Sequence, residues 1–260
     1  MRITTLASSS SGNCALVSHG GAHILIDAGI SYKRIRGSLR ELGVEPGEIS
    51  AILVTHSHSD HINGLGIMTK YIAPRIFATR ATLDAIENQV AGGSPLEVIE
   101  PGVVLDAAGF GIRAFRTSHD APGSVGFTVS AGGRTLAFAT DLGIVTEDVL
   151  TAASGADLAV VEANHDITML KFGNYPPSLR RRIASEMGHL SNLAGGALAL
   201  ELAKSGARKI ILAHLSRENN TPELAYRDVR DALSRGGADV GGDVELTVAP
   251  PDTPCGTLGV

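Results

Sequence analysis

The sequence predicts an α/β (α+β) chain folded as one domain over residues 1–260. Three observations predict it. Short apolar runs that read as strands alternate with helical stretches along the whole chain, and no Pro/Ser-rich linker divides them. A dense cluster of metal-ligand side chains, Thr55-His56-Ser57-His58-Ser59-Asp60-His61, leaves the end of one such strand. A late stretch, Ile211-Leu212-Ala213-His214-Leu215-Ser216, echoes the approach to that cluster, Ile52-Leu53-Val54-Thr55-His56-Ser57. The echo fits two similar β-α halves that each deliver ligands from strand ends.

In order, Arg2 to Leu6 reads as a first strand, and Ser8 to Asn13 as a small polar loop closed by Gly12-Asn13. Ala15–Ser18 and His23–Ile26 form a hairpin around Gly20-Gly21, with His19 and His23 at the surface. Asp27-Ala28-Gly29 ends the second strand, and Ser31 can cap a helix that runs to Leu42 and stops at Gly43. Ile49–Val54 is a short buried strand, and Ile62–Tyr71 can open a helix after the histidine turn. Arg75–Ala78 is strand-like, the stretch from Thr79 or Arg80 to Val90 is helical, and Glu97–Leu105 and Gly111–Thr117 are strands. Val125–Ser130 and Thr135–Ala139 make another hairpin, around Gly132-Gly133. Thr146–Ala153 is helical, Leu158–Val161 is a buried strand, and Asp166 caps the segment after it. Asn192–Ser205 is an Ala- and Leu-rich helix, Lys209–Ala213 a strand, Pro222–Arg235 a helix capped by Thr221, and Val244–Val248 the final strand.

Bulk properties narrow the function classes. The chain is 43% hydrophobic and 19% charged, as in a soluble globular protein with a substantial core. Its net charge of -5 excludes a purely electrostatic nucleic-acid binder while leaving room for a local basic patch. Aromatics make up 4% and Trp is absent, so extensive base stacking is not expected. Cys14 and Cys255, far apart in sequence, read as free thiols in a reducing cytosol. No signal peptide and no run of ~18 apolar residues is evident, which gives the expectation of a cytoplasmic protein with no membrane contact.

Three histidines and an aspartate in six residues, read as H-x-H-x-D-H, suit Zn²⁺, with Mn²⁺ or Fe²⁺ as alternatives. Elsewhere, three residues sit where an apolar strand stops: His119 after Phe115-Arg116-Thr117-Ser118, Asp141 after Phe138-Ala139-Thr140, and His214 after Ile210–Ala213.

The H-x-H-x-D-H cluster resembles that of the metallo-β-lactamase superfamily, and the resemblance runs the length of the chain. It implies a four-layered αββα sandwich with a mono- or dinuclear metal site at one edge. Carried onto this chain, it implies that His56, His58 and His119 hold one divalent ion and Asp60, His61 and His214 a second, with Asp141 bridging. Two ions per chain follow, zinc first and manganese as the alternative. Oxygen-reducing members carry Glu at the second histidine position. Here it is His58, which speaks against a redox role.

Val161-Glu162-Ala163 and Gly188-His189-Leu190-Ser191 resemble the E-A-x and G-H-x-S elements of the phosphodiesterase and nuclease branches, including tRNA 3′-end processing enzymes. With the Leu6–Asn13 loop and Ala213–Asn220, the chain resembles the compact YycJ (WalJ) type, regarded as a DNA exonuclease or phosphodiesterase. The implied activity is dinuclear-metal-dependent cleavage of phosphodiester bonds in DNA or RNA by a hydroxide that the ions activate. Asp60 would hold that nucleophile with Asp141. His189 would protonate the leaving sugar oxygen, unless it is only a cap-region histidine. Glu162 would orient His189 or His165, or serve structure alone. Ser191, beside its cap-like position, is counted with the substrate-binding residues.

Pro176-Pro177-Ser178-Leu179-Arg180-Arg181-Arg182 is the densest positive run. Ser178 can cap a short helix that turns at least one arginine toward the site and another to solvent or a carboxylate. The alternative is a solvated helix face. Two other functions stay open: hydrolysis of a small lactone, thioester or cyclic phosphodiester, and a non-catalytic partner protein. The second is disfavoured because all seven ligands are present.

Overall fold

The computed structural model describes residues 1–259. The first part of the chain runs β1 (Arg2–Ala7), β2 (Cys14–His19), β3 (Ala22–Ile26), α1 (Tyr32–Glu41), β4 (Ile49–Leu53), α2 (Ser59–Ile62) and α3 (Leu65–Tyr71). It continues through β5 (Arg75–Ala78), α4 (Arg80–Ile86), β6 (Leu96–Val98), β7 (Val104–Ala107), β8 (Phe110–Arg116), β9 (Val125–Ala131), β10 (Arg134–Ala139) and α5 (Glu147–Ala153). It ends with β11 (Leu158–Glu162), α6 (Ile167–Phe172), α7 (Pro177–Ile183), α8 (Asn192–Ser205), β12 (Lys209–Ala213), α9 (Pro222–Arg235), β13 (Glu245–Val248) and β14 (Leu258–Gly259).

These strands make two sheets of seven, in the orders β14-β1-β2-β3-β4-β5-β6 and β13-β12-β11-β10-β9-β8-β7. Each sheet joins an antiparallel part to a parallel one; β3 to β6 and β10 to β13 are parallel. Side-chain alternation sorts the apolar residues into layers. Ile24 and Ile26 of β3 meet Phe127, Leu136 and Ile211 of the other sheet in the central core. Leu25 and Ile52 face outward onto Ile35, Leu39 and Met68 of α1 and α3. Ala137, Val161 and Leu212 face outward onto Val149, Leu202 and Val229 of α5, α8 and α9. Both faces of the parallel strands are therefore buried, which is why they read as continuous apolar runs. The result is the expected four-layered αββα sandwich.

Several boundaries differ from the sequence expectation for identifiable reasons. The run Glu97–Leu105 is two strands in different sheets, because the turn Pro101-Gly102, with Gly102 at φ +88, sends the chain across the sandwich. The helix expected over Ile62–Tyr71 breaks at Asn63-Gly64, and its first turn reaches back to include Asp60 and His61. Ser178 is not the cap of α7; Pro176 holds that position and Ser178 lies in the first turn. His19 and His23 are half-buried rather than free on the surface, and His23 Nδ1 lies 2.8 Å from Ser18 Oγ. β14 was not foreseen; it pairs antiparallel with β1.

Candidate metal centre

The parallel strands β3, β4, β10, β11 and β12 end at one edge of the sandwich, where sheets of this kind present their ligand-bearing loops. Asp27, Asp141 and His214, each just past a strand end, adopt left-handed backbone with φ of 60, 60 and 58. Such angles are uncommon outside glycine and cluster where a side chain must be aimed. They turn all three side chains back into one buried cluster.

The first set of donors is His56, His58 and His119. His56 Nε2 and His119 Nε2 lie 3.1 and 3.2 Å from His58 Nδ1. Ligands on a tetrahedral zinc with bonds of about 2.0–2.1 Å sit roughly 3.3 Å apart. The outer nitrogens fix the tautomers. His119 Nδ1 donates to the Gly188 carbonyl at 3.0 Å. His56 Nδ1 donates to Thr55 Oγ1, whose own hydrogen goes to the Asp27 carboxylate. His58 Nε2 points at Asp120, 3.5 Å away. Burial keeps all three imidazoles below their ordinary pKa and hence neutral. Three lone pairs thus converge with no proton between them, an arrangement that a cation stabilises.

The second set is Asp60, His61 and His214. Asp60 Oδ2 lies 3.3 Å from His61 Nε2 and 3.4 Å from His214 Nε2. His61 Nδ1 donates to Asp27 at 2.7 Å, and His214 Nδ1 donates to Glu162 at 2.8 Å. Asp141 stands between the sets, 3.8 Å from His119 Nε2 through Oδ1 and 3.5 Å from His61 Nε2 through Oδ2. Its Oδ2 is buried and has no hydrogen-bond partner among the described residues. A buried carboxylate oxygen without a partner is costly, and cations on either side would satisfy it. The donor set therefore fits two divalent ions.

Glu162 is completely buried and has both oxygens engaged. Oε1 accepts from His189 Nδ1 and His214 Nδ1, and Oε2 from the backbone N–H groups of Leu142 and Leu190. Burial would raise its pKa, but His189 and His214 bring it down to about 2. It accepts hydrogen bonds from His189 and His214 and none from His165. With no free lone pair facing the cleft, it positions imidazoles rather than meeting a substrate. Gly195 lets α8 close on this point, since a Cβ there would lie 2.3 Å from the Glu162 carbonyl.

The arginine run divides. Arg182 enters the metal cleft and pairs with Asp120 at 2.5 Å, while Arg180 and Arg181 line a neighbouring cavity. Ser191 uses its hydroxyl to cap α8 through Ala194 N. Sequence reasoning missed Asp27, Asn13, Asn164 and Asp120. Asn13 donates to the Ser9 carbonyl and lies 3.2 Å from His61 Nε2, and Asn164 Nδ2 donates to the His214 carbonyl at 2.8 Å. The one available signal was Asp27 itself, an aspartate ending an apolar strand just as Asp141 does.

Charge at His61 and His214 yields a prediction. Burial lowers both, but Asp141 and the other carboxylates around them win; His61 is raised and His214 reaches about 10. In the metal-free protein the surrounding carboxylates favour the imidazolium form of both. His214 therefore stabilises the metal-free fold fully below its ordinary value near 6.5 and loses that contribution as pH rises through about 10. Ions taken up at these nitrogens must expel the protons. Calorimetry at pH 7.5 in buffers of different ionisation heat should show release approaching about two protons per chain. Heats that do not change with the buffer would exclude ligation through this pair.

The pattern of the beta-lactamase superfamily domain matches residues 22–215, from β3 to just beyond His214. The chain belongs to this superfamily. Exodeoxyribonuclease WalJ of Streptococcus pneumoniae serotype 2 is 34% identical over 256 residues, covering 97% of this chain and 95% of that protein. Exodeoxyribonuclease YycJ of Bacillus anthracis is 34% identical over 257 residues, covering 98% and 97%. Among solved structures, Zn²⁺-bound PqqB from Methylobacterium extorquens superimposes with a TM-score of 0.76 at 19% identity over 100% of both chains, a likeness of fold. The superfamily fold is a divalent-metal-binding one, and the WalJ/YycJ resemblance in the motifs extends over nearly the whole chain. No helix among the described residues is long and apolar enough to cross a membrane.

Proposed function

We propose that this chain is a dinuclear-metal-dependent phosphodiesterase acting on nucleic acid, with exonucleolytic cleavage of DNA as the first reading. It would act as a single domain in the cytoplasm, where its unpaired Cys14 and Cys255 would stay reduced. The observation that carries the reading is the placement of His189. Its Nδ1 is tied to Glu162 at 2.9 Å, and its ring lines the cleft that also holds Asp60, Asp141 and His214. Bound by the two donor sets, divalent ions, zinc first and manganese second, would lower the pKa of water toward neutrality and offset phosphoryl charge.

The protein's own groups supply the rest. Glu162 accepts a hydrogen bond from His189 Nδ1–H, so the proton carried on Nε2 of the imidazolium form is the one that would pass to a leaving sugar oxygen. Asp60 and Asp141, among the ligand clusters of the same cleft, would hold the nucleophile. Arg182, anchored by Asp120, offers a positive group at the cleft wall for a non-bridging phosphate oxygen.

The test is metal-loaded protein incubated with end-labelled single- and double-stranded DNA and RNA, beside bis-p-nitrophenyl phosphate, a lactone and a thioester. Nucleic acid and the small diester should be cleaved. His189→Ala should slow DNA cleavage about 100-fold. It should slow the small diester less than about tenfold, since p-nitrophenolate departs without a proton. Lactone or thioester turnover with no diester cleavage would overturn the reading.

A further inference from the structure

His189 is a wall between two spaces. On one side is the cleft with the ligand clusters; on the other is an open cavity of about 600 Å³ bordered by α6, α7 and the start of α8. That volume lies within the roughly 300–1,000 Å³ of pockets that seat small molecules, so it has room for one nucleotide rather than a duplex.

Its lining is unlike that of a solvated helix face. Lys171, Arg180 and Arg181 all border it, and among the described residues no carboxylate does. None of the three has an acidic partner there, although Arg182 next in line does. Arg180 donates to the Lys171 carbonyl and Lys171 lies over the Phe172 ring, but no carboxylate faces the three cations, which in a chain of net charge -5 mark a place for an anion. Ile167, Leu170 and Ala194 supply apolar wall between them. His165 is a further lining residue, 3% exposed, and neither ring nitrogen has a partner among the described residues. A neutral imidazole can give one hydrogen bond and take one, which suits the edge of a base or a sugar hydroxyl.

The position fixes which part of a substrate arrives here. A proton donor must reach the leaving oxygen, so the group that carries this oxygen lies on the side of His189 away from the ligand clusters. Taking the site as a nucleic-acid phosphodiesterase, as above, we propose that this cavity seats the nucleotide on the leaving-group side of the scissile bond. Arg180, Arg181 and Lys171 hold the next phosphate along the strand, and His165 meets the base or sugar.

The test uses three dinucleotides with metal-loaded protein: TpT, TpT with a 5′-phosphate, and TpT with a 3′-phosphate. One phosphorylated form should exceed TpT by about tenfold or more in kcat/KM, mainly through KM. Which form wins identifies the sugar oxygen that leaves. Arg181→Ala should remove most of the advantage, and Ala194→Phe, which fills the cavity, should remove all of it. Equal cleavage of the three, or an advantage that survives both variants, overturns the proposal. A binding measurement separates it from the broader reading. Metal-free protein should bind 5′- or 3′-thymidine monophosphate in calorimetry, and Ala194→Phe should weaken that binding at least about tenfold. If no nucleotide is cleaved but this binding pattern holds, the phosphodiesterase reading falls and the nucleotide cavity stands. If thymidine monophosphate does not bind, the cavity proposal falls.

Discussion

Asp141→Asn should lower cleavage by about 10³-fold, because several kcal/mol of transition-state stabilisation leave with a cation. The bound metal should drop from about two ions per chain to about one. Asparagine has the right shape for this test. It tolerates the left-handed backbone that position 141 requires, at φ +60, so the turn at the end of β10 should persist. Only the negative charge between the donor sets is lost. His56, His58 and His119 remain, with their inward lone pairs untouched, and should keep the first ion. Elemental analysis of protein purified without chelator gives the count. Two ions retained with normal turnover would show that the sets do not need the carboxylate between them.

Glu162→Gln should be more damaging to the fold. The carboxylate accepts four hydrogen bonds, two from imidazoles and two from backbone N–H groups. An amide in its place offers one acceptor and turns an N–H toward donors. Breaking such a buried pairing costs about 3–5 kcal/mol. Equilibrium denaturation of the metal-free protein should show it. Metal affinity should fall about 10–100-fold as His214 loses its orientation, and turnover should fall further because His189 is freed as well. The pH dependence has a definite sign. A carboxylate held at about 2 in the fold stabilises it fully above its ordinary 4.5 and loses that contribution as pH falls toward 2. Wild type should therefore lose stability relative to the variant across that acid range. A variant that unfolds at the wild-type denaturant concentration, with the wild-type acid profile, would remove Glu162 from this role.

The sequence made the centre legible where its residues are close together or share a pattern. His56, His58, Asp60 and His61 fall within one turn, so their spacing alone announces a ligand cluster. Asp141 and His214 each end an apolar strand, a repeated context that could be searched for. Asp27 ends one too, but it read only as the close of the second strand. Its partners, Thr55 and His61, come from the neighbouring strand end. Asn13 and Asn164 were hidden for the same reason, since a lone amide carries no spacing to read. In the fold, alternation and caps revealed nearly every element. The crossing at Pro101-Gly102 was invisible because a turn sequence does not say which sheet the next strand joins. The arginine run was visible as charge, yet only packing shows that Arg182 faces one space and Arg180 and Arg181 another.

The two donor sets also span very different lengths of chain. His58 and His119 are 61 residues apart, whereas Asp60 and His214 are 154 apart. An ion held by either set is a cross-link, and a cross-link stabilises a fold in part by denying the unfolded chain its freedom. That entropy grows only logarithmically with loop length, so the longer span adds about 0.6 kcal/mol per doubling. What differs more is the mechanical consequence. Ions held by the two sets would staple β4 of one sheet to strands of the other, across the open edge of the sandwich. Stripping them should loosen that edge first, and amide exchange in the loops after β4, β10 and β12 should quicken well before the central core opens. The ions that run the chemistry would also be the rivets that keep the two halves of the molecule from parting at its working end.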